Sequence, residues 1–180
     1  MAVSPAGLMP PRGRTALPFT AAVLLVSGLA LRRAESPLHL AMLVGASLLL
    51  VTLAACDAAT LLLPNRLIYP GLTAALLLAS AWPQRSWPSS LAGGAVGGAV
   101  MLVLFVVVPG FGAGDVKLCA LIGLLVGWPH VLTALIAGMI CSGLVGGLLV
   151  LSGRAGRRST MPYGPGLVVG ALYALLLLRP

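Results

Sequence analysis

The chain has 180 residues, 59% of them hydrophobic and 8% charged, with a mean hydropathy of +1.09; a charged share so far below the ~25% of ordinary globular domains excludes a water-soluble fold and makes the bilayer its solvent. Eleven basic residues against three acidic give a net charge of +8, but the bases stand singly or in pairs without interleaved aromatics, so nucleic-acid binding gains little support. Cys56, Cys119 and Cys141 form no C-x-x-C pair, which argues against a disulfide framework or a cysteine zinc site, and no metal is expected.

Seven apolar runs between charges and Pro or Gly breaks predict an all-α polytopic transmembrane bundle. They cover Ala16 to Leu31, Leu38 to Cys56, Leu67 to Trp82, Ser90 to Pro109, Leu118 to Trp128, Val131 to Leu151 and Gly164 to Leu178. Six or eight spans are also compatible with the pattern. The first run follows Arg12 and Arg14, and no small-x-small cleavage site precedes Arg32 and Arg33; it reads as a retained helix after a short tail, 1–15. The fifth run is short, and Trp128-Pro129-His130 reads as a tight turn into the sixth. No repeat or low-complexity linker interrupts the chain, so 1–180 is expected to be one membrane domain.

If the spans alternate, the N-terminus and segments 57–66, 110–117 and 152–163 share one side, with Arg12, Arg14, Arg66, Lys117, Arg154, Arg157 and Arg158. The other side holds Arg32, Arg33, Arg85 and Arg179. The positive-inside rule puts the first set in the cytoplasm. The cluster from Arg154 to Arg158 reads as a docking surface or as a topology signal. Glycines recur at four-residue spacing as Gly93/Gly97 and Gly94/Gly98 in the fourth run, and as Gly143/Gly147 and Gly138-Ser142-Gly146 in the sixth. Such faces let helix backbones approach closely; packing within the bundle is the expected use, a homodimer interface the alternative.

The three acids are the most informative residues. Glu35 falls in a short loop after Arg32 and Arg33, where a solvated charge needs no functional reason. Asp57 ends the second span, before Ala58 to Leu63 and Pro64-Asn65, which can stop the run and turn the chain. Asp115 opens the fifth, within Gly110-Phe111-Gly112-Ala113-Gly114-Asp115-Val116-Lys117. A carboxylate near hydrocarbon is costly unless it lines a wet cavity or meets a polar partner. Alone, Asp57 could be a headgroup-level helix end and Asp115 an N-cap. Together, on one predicted side and each beside a Pro or Gly break, they suggest a shared site. Neighbouring carboxylates do not readily both ionise, so one can activate water as a base while the other protonates a leaving amine. Gly112 and Gly114 would let another stretch of chain approach Asp115. Lys117, the sole lysine, would contact lipid phosphate or lower the acid's pKa. His39 and His130 fall on the opposite side and read as interfacial residues, and no Ser/His/Asp or Cys/His order emerges.

Gly112-Ala113-Gly114-Asp115, continued by Val116-Lys117-Leu118, resembles the signature of the type IV prepilin peptidases, membrane-embedded G-x-G-D aspartic proteases. Asp57 followed by Pro64-Asn65 resembles that family's first aspartate motif, and Met161-Pro162-Tyr163-Gly164-Pro165-Gly166 its late P-[FY]-G-P segment; the three occur in the family's order across about residues 40 to 175. The resemblance implies an endopeptidase that removes the basic leader from prepilin-like precursors at the cytoplasmic face of the membrane, with Asp57 and Asp115 as the pair. It also implies that the precursor's hydrophobic helix, embedded in lipid, delivers the bond. Pro162, Gly164 and Pro165 would shape the cleft by this analogy, or simply lead into the last helix. Larger bacterial members carry a cysteine-rich segment and N-methylate the product with S-adenosylmethionine. The absence of cysteine pairs here predicts cleavage without methylation and no cofactor, as in the short form serving tight-adherence (Flp) pili or a preflagellin-type peptidase. The stretch Ala58 to Leu63 is more apolar than that family's usual sequence after the first aspartate. Two rival readings are a small transporter or channel subunit using the two acids for a cation, and a non-catalytic pilus assembly scaffold.

Overall fold

The computed structural model describes residues 16–83, 85–108, 110–152 and 162–178. The tail 1–15 with Arg12 and Arg14, the Arg154, Arg157 and Arg158 cluster, Arg179, Pro109 and Met161 lie outside the described residues. Those described form an all-helical bundle: α1 (Ala16–Arg33), α2 (Pro37–Thr60), α3 (Asn65–Leu77), α4 (Trp87–Val107), α5 (Ala113–Val126), α6 (His130–Leu151) and α7 (Gly164–Leu177), with a 3₁₀ turn at Ala79–Ala81. The protein is a multi-pass helical membrane protein. Its outer faces carry large apolar side chains such as Val106, Ile140 and Leu144, which suit lipid and not water.

Length separates two classes of helix. α2, α4 and α6, with 24, 21 and 22 residues, are long and apolar enough to cross a bilayer. By contrast α3, α5 and α7 have 13, 14 and 14 residues, about 20 Å each against a hydrocarbon thickness of ~30 Å. Thus the seven predicted runs are seven helices, but three of them are shorter than a full span. The third and fifth runs depart most: α3 starts two residues early, at Asn65, and gives way after Leu77 to the 3₁₀ turn, while α5 starts five residues early, at Ala113.

The ends of α2 place the key residues. At its start the Ser36 hydroxyl accepts from His39 N at 3.1 Å and Pro37 occupies the first helical position, where a missing N–H costs nothing. At its end the helix runs to Thr60, four residues past the expected Cys56, so Asp57 lies inside its last turn. Leu61 then adopts a left-handed conformation, φ 55°, and donates its N–H to Asp57 O at 2.8 Å. For a residue with a β-carbon this costs about 1–2 kcal/mol, and it turns 62–64 sharply across to α3.

Two glycine contacts lock the bundle. A β-carbon on Gly93 would clash with Gly123 O and one on Gly97 with Cys119 O, so α4 lies backbone to backbone on α5. In the second, Gly138 faces Leu167 Cα and Gly170 faces Ala134 O, seating α6 on α7. The expected packing role of these glycines is therefore met within one chain. Gly143 and Gly147 meet nothing within 4 Å and point away from the bundle. Leu118, Leu121 and Ile122 of α5 are fully buried, which makes the short helix α5 the centre of the core.

Candidate active site

Asp57 comes from the last turn of α2 and Asp115 from the first turn of α5, and both border one cavity of about 330 Å³. They are 6% and 8% exposed, far more buried than acids ordinarily are. Each carboxylate is oriented by a backbone amide. Gly164 N donates to Asp57 Oδ2 at 2.8 Å, and Gly112 N donates to Asp115 Oδ2 at 2.8 Å. The local cause for Asp115 is half of a capping box: it occupies the third helical position, its own N–H meeting Gly112 O at 3.0 Å. It is therefore not the N-cap; Gly112 is.

Gly164 is the first residue of α7, and a β-carbon there would stand 2.6 Å from Asp57 Oδ2. Only glycine lets that backbone reach the acid. Gly114 serves a second close approach, since its Cα faces Leu63 with room for a β-carbon only at 3.2 Å. Leu61, Leu62 and Leu63 line the cavity, so the apolar stretch after Asp57 gives the site a greasy wall. Such a wall suits an extended, hydrophobic chain segment.

Lys117 ties two helices together. Its Nζ donates to Asn65 Oδ1 at 2.9 Å and stands 4.9 Å from the centre of the Tyr69 ring, joining α5 to α3 where Asn65 and Lys117 border the cavity. Pro64 precedes Asn65 as the extended N-cap of α3. Pro162 and Pro165 flank the Tyr163-Gly164 step but do not line the cavity.

One pairing escaped the sequence. Phe111 and Tyr163 stack with ring centres 4.6 Å apart, and Ser142 Oγ donates to Tyr163 O at 3.1 Å. The loop before Asp115 is thereby fastened to the segment that holds Asp57. Phe111 between two glycines was the available signal. His39, at the far end of α2 from Asp57, is 4% exposed and packed edge-on against Trp82 at 5.5 Å. Among the described residues no group of three or more His, Cys, Asp and Glu side chains could hold a metal ion. Two acids, each held by one amide and open to a common cavity, can divide base and acid duties in adding water to an amide.

Residues 43–147 match the Type IV leader peptidase family. The chain is 33% identical over 132 residues to the prepilin leader peptidase/N-methyltransferase of Bacillus subtilis (strain 168), across 71% of this chain and 52% of that protein. It thus spans about half the length of this curated relative. No solved structure matches.

Proposed function

The chain belongs to the Type IV leader peptidase family, and we propose that it is a membrane-embedded aspartic endopeptidase with Asp57 and Asp115 as its catalytic pair. The observation that carries this reading is the common cavity: two acids 58 positions apart in sequence border one space, each with an oxygen on a backbone amide. One carboxylate takes a proton from water, the resulting hydroxide adds to the scissile carbonyl, and the other acid protonates the departing amine. One water is consumed and the pair's proton count is restored. Its two protonation steps belong to the dyad and not to either residue.

The substrate in this proposal is a prepilin-like precursor, of the Flp/tight-adherence kind or a relative, with a basic leader and a hydrophobic N-terminal helix. That helix lies in lipid and brings the bond to the cavity at the cytoplasmic face. Leu61 to Leu63 receive the apolar side of the cut, Gly112 and Gly114 keep the approach to Asp115 open, and Lys117 with Asn65 borders the polar side. Pro64 turns the chain into α3, while Pro162 and Pro165 fix the step that puts Gly164 on Asp57. We propose cleavage without N-methylation, because the three cysteines are scattered among helices.

The test is co-expression with a small prepilin whose basic leader ends in glycine, read as a gel shift. Leader removal should occur with the wild type and fall about 10²- to 10⁴-fold in Asp57→Asn and Asp115→Asn, the range for a lost acid–base group. Wild-type cleavage by either variant would remove the dyad. An unchanged precursor with altered ion flux would favour a transporter.

A further inference from the structure

Two further cavities lie at the opposite end of the bundle. The nineteen steps from Leu38 to Asp57 along α2 cover about 28 Å, close to the hydrocarbon thickness of ~30 Å, so these cavities belong to the other membrane face. The first, about 40 Å³, is lined by Arg33, His39, Arg85 and His130, with Trp82 in its wall. Arg33 donates to the carbonyls of Leu177 and Leu178. Arg85 donates to Leu125 O and stands 4.4 Å from the centre of the Trp82 ring. Burial lowers the Arg85 pKa to about 10, which leaves it charged at neutral pH. Two guanidiniums thus share a small space whose described lining contains no carboxylate. The nearby Glu35 reaches His39 Nδ1 through its own backbone N–H, at 3.4 Å.

Trp82 also walls the second cavity, an apolar groove of about 310 Å³ between α2 and α3. It runs from Leu38 to Leu49 on one helix and from Gly71 to Leu78 on the other. Eleven steps of helix cover about 17 Å, against ~15 Å for half of the hydrocarbon core. Trp82 Nε1, on the side chain that walls both cavities, is buried with no hydrogen-bond partner among the described residues, although buried indoles usually have one.

We propose that the two cavities form one site for an anionic phospholipid of the leaflet opposite the aspartates, its phosphate between Arg33 and Arg85 and an acyl chain along the α2–α3 groove. Charge and length fix the occupant. A free phosphate would satisfy the arginines and leave the groove empty, and a neutral lipid would fill the groove and bring no anion to Arg33 and Arg85. The site is independent of the aspartate cavity.

The full chain, purified in detergent, is tested by thermal unfolding and native mass spectrometry with dioleoyl phosphatidylglycerol, inorganic phosphate or dioleoylglycerol. Phosphatidylglycerol should be retained one to one and raise the melting temperature, the other two having little effect. Arg85→Gln should weaken its binding about tenfold, the loss of one charge-assisted contact. Because Arg85 also braces Leu125, Gly45→Phe supplies the second variant. Gly45 borders the groove and a β-carbon there meets nothing within 4 Å, so the new side chain starts in open space and reaches into the groove. It too should lower retention about tenfold with leader cleavage unchanged. An equal shift with phosphate alone, wild-type lipid retention by Gly45→Phe, or displacement of the lipid by a hydrophobic prepilin helix would each overturn the proposal.

Discussion

Gly164 and Asp57 meet across 107 positions of sequence, and their contact sets how exactly the first acid is aimed. Alanine at 164 would press a β-carbon against the carboxylate at 2.6 Å, whereas alanine at 114 meets only the Leu63 side chain at 3.2 Å, which can yield by a few tenths of an ångström. Gly164→Ala should therefore cut leader cleavage by about 10²-fold, the scale of an ångström's misplacement at a reacting group, and Gly114→Ala by far less. Rates in isolated membranes at equal expression check the order; equal losses would mean that the amide contact does not position Asp57. Both acids were visible in the sequence because so few charges surround them. Their partners were not, since a backbone amide has no letter of its own. The Asn65 partner of Lys117 escaped for a similar reason: it lies 52 positions away.

At the level of helices, apolar runs located every element to within a few residues. The errors fell where chemistry and helix geometry diverge. An acid reads as the end of a span, yet Asp57 turns inward and the helix carries on through Ala58-Ala59-Thr60, with Thr60 Oγ1 donating to Cys56 O at 2.8 Å. The short α5 was legible as short, but not as the centre of the core, and α3 and α7 were not legible as short. Glycine spacing identified close-packing faces without saying which were used. Gly97→Leu should push α5 off α4 and destabilise the fold by about 1–3 kcal/mol as an overpacked site. Gly143→Ala, in open space, should be neutral or stabilise by up to about 1 kcal/mol through its helix propensity. Unfolding midpoints in detergent compare them; a destabilised Gly143→Ala would reveal a partner on that face of α6.

For the whole molecule, the sequence offered alternation and a count of basic residues, and the fold adds that the two ends of the bundle differ in kind. One end is a carboxylate cavity with a leucine wall, the other a cluster of guanidinium and imidazole groups. In a cysteine-free background, single cysteines at Leu62 and Trp87, 71% and 50% exposed, should react with a membrane-impermeant maleimide from opposite sides, Leu62 from the cytoplasm. Labelling of both from one side would refute the two-ended arrangement.

The two acids, if they handle one water and one amide between them, form a single working unit, and losses within such a unit do not multiply. The direct measurement is the leader-cleavage rate of Asp57→Asn, Asp115→Asn and the double variant in the same membranes. The double variant should be no slower than the slower single one. Losses that multiply, or one single variant that cleaves at full rate, would contradict the shared dyad.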